Sequence, residues 1–511
     1  LIPKRFQWIW LLILSYYFYL CSGVKTLGLI ITTTVTTFLG GIILERIEEG
    51  RSAYFKAHKN EMAAEEKKLY KNKTKKYKRL ILVLVLVINF GMLAVIKYYG
   101  FAAENINALL SNVFHINVGL KRIDFLLPLG ISFYTFQSMG YIIDMYQGKY
   151  KADRNIFKFA LFVSYFPQIL QGPIGRYNRL AHQFFERHSF DLVRIQHGLQ
   201  LMAWGFFKKM VLADRAALVV TEVFRYVHLY DGATVLFGVL AYTLQLYADF
   251  SGGMDIVIGA SEMFGITLDQ NFRQPFFSNS ISDFWHRWHI TLGTWMKDYV
   301  FYPFSLSKAM NKFGKFTKKI FGTTVGRCLP ICVANLLIFF IVGVWHGAQW
   351  KYIAYGMYNG LLIAASNLFE PLYPKIFKAL HINPECRAWK LFRILRTFSL
   401  VVISFYFDVC ESLYAALYMM RSTVTGFSFS TFTDGSLLKL GVDKQGMCII
   451  FAGCVIWFII SLIKEKGIDV RAALDRKPWF IRWAVYGALV LSIPVFGKIS
   501  ETIGGFMYAQ F

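Results

Sequence analysis

Apolar segments long enough to cross a lipid bilayer recur along the whole chain, and they constrain its fold more than any other feature. A membrane-spanning helix needs about 20 consecutive, mostly apolar residues. Such segments alternate here with shorter polar stretches. We predict membrane spans near residues 6–22, 27–44, 80–99, 123–146, 199–220, 233–266, 328–346, 350–370, 397–420, 446–463 and 480–498.

The composition agrees with a membrane protein. Of the 511 residues, 56% are hydrophobic and only 17% are charged, whereas about a quarter of the residues of a soluble protein are charged. The chain has too little polar surface to cover so much apolar mass in water. This argues against a soluble enzyme, a disordered protein and a secreted disulfide scaffold. We predict a single polytopic membrane domain over residues 1–511.

The formal net charge of +25 is explained by the loops between the predicted spans. Cytoplasmic loops of membrane proteins carry an excess of Lys and Arg. One orientation of the chain places all the basic loops in the cytoplasm, namely 45–79, 147–158, 267–327, 371–396 and 464–479. The loops 221–232 and 421–445, poor in Lys and Arg, then lie outside. We expect no nucleic-acid partner, although the charge could also attract anionic headgroups or a polyphosphorylated donor.

Two segments depart from a simple pattern of straight spans. The run 159–171 is too short to cross a membrane and contains Pro167. The run 233–266 is too long for one span and contains Ser251–Gly253. We predict a re-entrant element and a broken helix. Because irregular backbone at membrane depth is tolerated where it lines a cavity, these elements favour a functional protein over an anchor.

Several kinds of site are not indicated by any motif. The seven cysteines are scattered without a CxxC pair, so the sequence predicts neither a disulfide framework nor a metal site. It contains no P-loop, no GxSxG elbow, no HExxH and no GxGxxG that precedes a strand. ATP-driven transport and serine or zinc hydrolysis are therefore unsupported.

Three histidines lie in aromatic, membrane-proximal sequence. His286 and His289 belong to Phe284–Thr291 (FWHRWHIT), and would share one face if this stretch were a continuous helix. His346 ends an apolar helix and is followed by Gly347, a helix-stop signal. Ionisable residues at membrane depth are costly and usually functional, and histidine transfers protons near neutral pH. The alternative is a structural histidine, hydrogen-bonded between helices.

The cytoplasmic segment 267–327 contains His289, whereas His346 lies one helix away, towards the opposite side. This placement suits a reaction with a cytoplasmic donor and an external acceptor. Other polar residues lie in or beside the spans, and internal hydrogen bonds, ion pairs or extension to the membrane surface would explain them without a binding role. They are Gln245, Asp249, Asp255, Lys208, Lys209, Asp214, Arg215, Arg176 and Arg179.

At these residues the chain resembles the membrane-bound O-acyltransferase (MBOAT) superfamily, in particular its bacterial alginate O-acetyltransferase branch. The resemblance rests on Leu127–Gln137 (LPLGISFYTFQ), on Tyr247–Gly252 (YADFSG) with the motifs that follow it as far as Tyr299, and on Trp345–Gly347. The ending Phe506–Phe511 is also similar. The D-alanyl transfer protein of teichoic acid synthesis is a more distant likeness. The family usually has one more hydrophobic segment before the position of Leu1, so we expect that the start is truncated.

The resemblance implies an all-α membrane protein, built as a ring of tilted helices with re-entrant or broken helices around a central tunnel. It implies acetyl transfer from a cytoplasmic thioester, either acetyl-CoA or an acylated carrier protein, towards an exported polysaccharide. The family's near-invariant histidine corresponds to His346, and its second polar position to His289. His286 lies outside that match.

Transfer from a thioester needs a base for the attacking hydroxyl and donors for the oxyanion. His346 is the candidate base, and His289 would orient or polarise the thioester or relay the acyl group. Trp288 and Trp345 would exclude water or simply pack. Substrate contacts are also assigned to Arg287, Gln245 and Asp249, with ion pairing or, for Arg287 and Lys297, a solvated face as the alternative.

We expect no tightly bound cofactor and no metal. The resemblance implies a bacterial plasma-membrane location and an extracytoplasmic acyltransferase partner, for which the outer loops 101–122 and 421–445 are candidate docking surfaces. Two other functions fit the residues alone. One is a transporter or flippase without acyl transfer, in which Asp249 and Asp255 would be transport groups. The other is a scaffold of a polysaccharide export complex.

Overall fold

The computed structural model describes residues 3–59, 61–116, 119–123, 125, 128–226, 228–498 and 505–506. All regular structure in these residues is helical, and they contain no strand. The predicted all-α class is confirmed. Leu127 and Met507–Phe511, which contributed to the resemblance, lie outside the described residues.

The chain divides into two compact units. Among the described residues, the first unit comprises those up to Ile195 together with Ala260–Asp269. The second comprises Gln196–Gly259 and the residues from Gln270 onwards. The predicted single domain, ring and tunnel stay predictions.

The first unit is built around a core of helices that are almost entirely covered by protein. Fourteen residues of Ile131–Gln147 are buried, including Tyr134 and Tyr141. Its α-helices are Gln7–Cys21, Leu27–Ala57, Ala64–Phe114, Ile131–Gln147, Ile156–Ser164, Phe166–Gln171 and Tyr177–Leu180.

The second unit contains the histidine motifs. Its first helix begins at Leu192 in the first unit, passes through a π-helical stretch at Phe207–Ala213 and ends at Arg225. The helix Gly232–Met263 belongs to this unit as far as Gly259. The other α-helices are Ile281–Arg287, Ile290–Met296, Tyr302–Ser305, Lys308–His346, Trp350–Phe369, Tyr373–Ala379, Arg387–Val409, Leu413–Thr425, Lys444–Glu465, Val470–Asp475 and Trp479–Phe496. Non-helical backbone at Gly322 divides Lys308–His346 into two helical parts, of which the second ends at His346.

Six helices in the described part of the chain are long and apolar enough to cross a membrane. They are Leu27–Ala57, Ala64–Phe114, Gly232–Met263, Lys308–His346, Lys444–Glu465 and Trp479–Phe496. Trp479–Phe496 buries none of its apolar window within the protein, and Trp483 is 69% exposed. Exposed apolar surface of this kind is unstable in water. The chain is an integral membrane protein.

The remaining predicted spans correspond to helices that do not meet that criterion. The prediction for 123–146 is too long, because the helix begins only at Ile131, after Gly130 in a left-handed conformation. The prediction of one span over 397–420 is wrong, since helices Arg387–Val409 and Leu413–Thr425 are separated by a break. Such helices are hard to delimit from hydropathy because protein, rather than lipid, covers much of their surface.

Two predicted loops are largely helical. The basic segment 45–79 contains the end of the helix Leu27–Ala57 and nearly the first third of the helix Ala64–Phe114. Tyr54 and Tyr70 stack across this hairpin with ring centroids 4.3 Å apart. The proposed outer loop 101–122 is helical as far as Phe114. A high density of charged residues predicts a loop between two membrane spans. A helix nevertheless continues readily into polar surroundings, because its backbone hydrogen bonds are internal.

The predicted break at Ser251–Gly253 is wrong, because Gly232–Met263 is one continuous helix. The glycines serve close packing instead. A Cβ atom at Gly205 would lie 2.6 Å from the carbonyl oxygen of Gly252, and one at Gly252 would lie 2.8 Å from that of Gly205. Two helices therefore approach here to backbone contact. The segment 159–171 falls in two short helices, Ile156–Ser164 and Phe166–Gln171, which meet at Tyr165. Its predicted re-entrant course stays a prediction.

A tight hairpin carries His346. The helices Lys308–His346 and Trp350–Phe369 pack through Gly343 and Gly356, where an added Cβ would overlap the carbonyl oxygens of Tyr352 and Phe339, respectively. This close approach presses the side chains of the second helix against the end of the first.

We predict that Gly356→Ala destabilises the protein by about 1–3 kcal/mol, because the methyl group forces the two helices apart. Thermal unfolding in detergent measures this. Gly487→Ala is the matched control. Gly487 lies in another helix of the same unit, and a Cβ added there would meet nothing within 4 Å. Equal unfolding temperatures for the two variants would contradict the packing argument.

Candidate active site

His289 lies between two short helices. Ser280 caps the helix Ile281–Arg287, whose last turn ends before His289, and the helix Ile290–Met296 follows. His289 itself has a left-handed backbone with φ of 47°, which is uncommon for a residue other than glycine. The expectation that His286 and His289 share a helical face is wrong. His286 is exposed, and its Nδ1 lies 2.7 Å from the Ser282 carbonyl oxygen.

His346 is the last residue of its helix, as the following glycine predicts. Gly347 continues with an extended backbone, which directs the chain towards Trp350–Phe369. The imidazole of His346 is only 3% exposed, although it lies at a helix end.

The two histidines are brought together by Trp345. The Trp345 ring lies 5.7 Å from that of His289 and 5.1 Å from that of His346, both in edge-to-face geometry. The Phe250 ring also packs against His289, with the two ring centroids 4.9 Å apart. Both histidines therefore contact the same aromatic side chain. Their placement towards opposite sides of the membrane stays a prediction.

The electrostatic surroundings favour a neutral His289. This residue lies outside the six apolar helices and is 2% exposed. Burial, and secondarily the nearby His346, lower the pKa of His289 to about 3. At neutral pH its imidazole therefore has one nitrogen that accepts a hydrogen bond and one that donates.

Comparisons with known proteins identify the family of the chain. Residues 151–318 and 321–395 match the MBOAT, membrane-bound O-acyltransferase family, and these ranges include both histidines. Over 415 residues the chain is 34% identical to the probable alginate O-acetylase AlgI of Pseudomonas syringae pv. tomato, covering 81% of this chain and 69% of that protein. The chain belongs to the membrane-bound O-acyltransferase family.

Other relatives extend the family's chemistry to other polymers. The chain is 28% identical to the peptidoglycan O-acetyltransferase of Helicobacter pylori, over 100% of this chain and 92% of that one. It is 30% identical to the teichoic acid D-alanyltransferase of Bacillus subtilis, over 54% of this chain and 67% of that one. The matched regions span 53% to 69% of the length of the alginate O-acetylases. Family membership defines the class of chemistry, which is O-acyl transfer.

Trp288, which belongs to the motif Phe284–Thr291, lies in a cluster of aromatic side chains. Its ring stacks on Phe284 at 5.4 Å and contacts Phe272 at 5.1 Å and Tyr247 at 5.8 Å. These contacts account for the burial of Trp288 by packing. Its predicted substrate contact stays a prediction.

Five of the predicted polar residues form ion pairs within the second unit. Lys209 pairs with Asp249 and, at 2.8 Å, with Asp214. Lys208 lies 2.7 Å from Asp255 and donates to Ser251 at 2.9 Å. Pairing of this kind is the expected state of charges in an apolar interior. The ion-pair interpretation is therefore confirmed, and a substrate role for Asp249 stays a prediction.

The remaining predicted residues are placed differently. Arg287 forms salt bridges with Asp283 at 3.0 Å and Glu465 at 2.8 Å, so its guanidinium is engaged by carboxylates. Gln245 is buried, and no described residue donates to its Oε1. Lys297 is exposed. Binding of substrate by Arg287 or Gln245 remains a prediction.

Sequence reasoning missed the residues that surround His346. The rings of Tyr355 and Tyr352 lie 5.1 and 6.2 Å from its imidazole. Buried Lys351 donates to the carbonyl oxygens of Asp408 at 3.0 Å and Cys410 at 2.7 Å. The carboxylate of Asp408 accepts a 2.7 Å hydrogen bond from Tyr242. The spacing of the two tyrosines after Gly347 was the available signal for their contact with His346. The partners of Lys351, by contrast, are distant in sequence.

A polar cavity of about 60 Å³ lies beside Asn271. Its walls also include Lys208, Asp255 and Lys464. A larger cavity of about 280 Å³ is lined almost entirely by apolar side chains. Neither cavity is lined by His289 or His346. Because Asn271 contacts His289, the smaller, polar cavity is the better candidate for access to the site.

We predict that Lys209→Met destabilises the protein by about 3–5 kcal/mol, because it leaves the Asp249 carboxylate buried without its cation. The combination Lys209→Met with Asp249→Asn should recover part of that loss. A double-mutant cycle in detergent, with apparent unfolding free energies as the readout, checks this. Losses that simply add would show that the pair does not interact.

Proposed function

We propose that this chain is a membrane O-acetyltransferase that takes an acetyl group from a cytoplasmic thioester and passes it towards an exported polysaccharide or cell-wall polymer. The observation that carries the proposal is the buried arrangement of His289, Trp345 and His346. Two imidazoles around one indole, in a region that excludes water, match the needs of acyl transfer. The names of the alginate and peptidoglycan relatives support an acetyl group.

His346 is the proposed general base. It removes the proton of an attacking hydroxyl as the hydroxyl oxygen bonds to the thioester carbonyl carbon. The carbon–sulfur bond then breaks, and the proton passes to the leaving thiolate. Tyr355 and Tyr352 confine the imidazole, which limits its rotation away from the reacting atoms. Positioning of a base in this way typically contributes 10²–10⁴-fold to the rate.

The donor would approach through the polar cavity that reaches Asn271. Lys208 and Lys464 lie in its wall, and Lys464 begins a segment predicted to be cytoplasmic. Lys208 is neutralised by Asp255, whereas exposed Lys464 suits a phosphorylated donor. Acetyl-CoA is the proposed donor, and an acylated carrier protein has the same thioester and phosphate chemistry. No tightly bound cofactor is part of the proposal.

The acceptor would approach from the other side of the bacterial plasma membrane. The outer segment 421–445 contains two short 3₁₀-helices, Phe429–Phe432 and Ser436–Lys439, and is a candidate docking surface for an extracytoplasmic acyltransferase partner. That partner would receive the acetyl group or present the polymer hydroxyl.

We predict that His346→Ala lowers thioester consumption by at least about 100-fold, because the hydroxyl loses its base. The assay supplies labelled acetyl-CoA to the purified protein in lipid vesicles, with a polysaccharide acceptor, and measures free CoA and acetylated product. His286→Ala is the matched control, since this exposed imidazole contacts only its own helix turn.

Full activity in His346→Ala, with normal kinetics, would overturn the assigned base. Movement of intact polysaccharide across the vesicle membrane without thioester consumption, in the presence of acetyl-CoA and acylated carrier protein, would instead support a transporter.

A further inference from the structure

Asn271 lies at the centre of the contacts that hold His289. Its side-chain oxygen, Oδ1, accepts a hydrogen bond from the Thr291 backbone N–H at 3.0 Å and one from the Thr291 hydroxyl at 2.9 Å. The same oxygen lies 3.3 Å from Nδ1 of His289. Both residues are buried, with 1% of Asn271 and 2% of His289 exposed.

The orientation of the Asn271 amide follows from its partner. A backbone N–H can only donate, so the atom that faces Thr291 N must be the amide oxygen. The Nδ2 group then points to the Met254 sulfur, 3.4 Å away. Since the atom beside His289 Nδ1 is an oxygen that only accepts, Nδ1 must carry a proton to make a favourable contact.

The backbone of Asn271 reinforces this arrangement. Its carbonyl oxygen accepts a 3.0 Å hydrogen bond from Ile290 N–H, while Oδ1 satisfies Thr291 N–H. These are the first amide groups of the helix Ile290–Met296, which a side chain at its start would normally cap. His289 occupies that position without capping the helix. Asn271 therefore caps the helix Ile290–Met296 from another segment of the chain. The His289 ring is not needed as the cap and can face the site instead.

We propose that Asn271 is a positioning residue that holds His289 in the tautomer with the proton on Nδ1, so that Nε2 presents a lone pair to the reacting groups. This inference rests on the proposed acyl transfer for its kinetic consequence, but the tautomer exists independently of it. Phe250 and Trp345, which pack against the ring, limit its rotation out of this arrangement.

The tautomer separates the roles open to His289. Polarising a thioester carbonyl requires an N–H that points at the carbonyl oxygen, and neutral His289 has its only N–H directed at Asn271. A lone pair at Nε2 instead suits accepting a proton or bonding to the acyl carbon. Asn271 thus excludes the polarising role for His289 and favours the relay role, while His346 stays the proposed base.

The direct test is the ¹⁵N NMR signature of the His289 ring in protein labelled with ¹⁵N-histidine. The difference between wild type and His289→Gln assigns the signals. We expect a protonated Nδ1 and an unprotonated Nε2 in wild type and in Asn271→Asp, which keeps an acceptor oxygen. Asn271→Leu, of similar size but without an acceptor, should show the other tautomer or a mixture.

The kinetic test compares the same variants in the vesicle assay. Asn271→Leu should lower kcat by about 100-fold with little change in KM, as loss of an orienting partner does, and Asn271→Asp should restore most of it. Asn89→Leu is the control for replacing a buried asparagine, because Asn89 bonds only to Thr36 and the Val85 carbonyl in the described first unit.

Two results would overturn the inference. One is a wild-type His289 with its proton on Nε2. The other is an unchanged tautomer in folded Asn271→Leu. If wild type consumes no thioester while the NMR result is as expected, the proposed function fails and the positioning by Asn271 stands.

Discussion

Every buried charge in the second unit must find its partner inside the protein, because water is absent from an apolar interior. Lys208 and Lys209 meet this requirement with Asp255, Asp249 and Asp214. Lys351 meets it with the carbonyl oxygens of Asp408 and Cys410. Apart from Lys209–Asp214, which lies within one helical stretch, these contacts join segments that are distant in sequence. The pairs therefore fix the positions of the helices on which the histidines and their aromatic neighbours depend.

Close approach of helix backbones at glycines also positions the residues around the histidines. Gly343 and Gly356 let Trp350–Phe369 pack directly against the end of Lys308–His346, and this places Tyr355 against the His346 ring. Gly205 and Gly252 bring two further helices together in the same way. Small residues at helix contacts are the usual means of tight packing in membranes, where lipid provides no hydrophobic drive for association. The chemistry of the site thus depends on residues that have no reactive group.

The family relation and the local geometry give different kinds of information. The relatives define O-acyl transfer and identify polymers that such proteins modify. The contacts within this chain suggest how the two histidines differ. His346 ends a helix among tyrosines, whereas His289 has a left-handed backbone and its ring faces Asn271. A neutral His289 that accepts at Nε2 and a His346 that acts as base would divide the reaction between them.

The sequence alone determined the membrane character and the all-α class, because composition and hydropathy are local properties. Short motifs also singled out His289 and His346 as candidates, and glycine predicted the end of the helix at His346. The break predicted at Ser251–Gly253 is wrong, because glycine permits close packing as well as breaks. Only the tertiary structure decided the left-handed backbone at His289, since Asn271, which contacts it, lies 18 positions away. It also decided that Tyr352 and Tyr355, although near His346 in sequence, pack against its imidazole, because the close approach of their helix places them there.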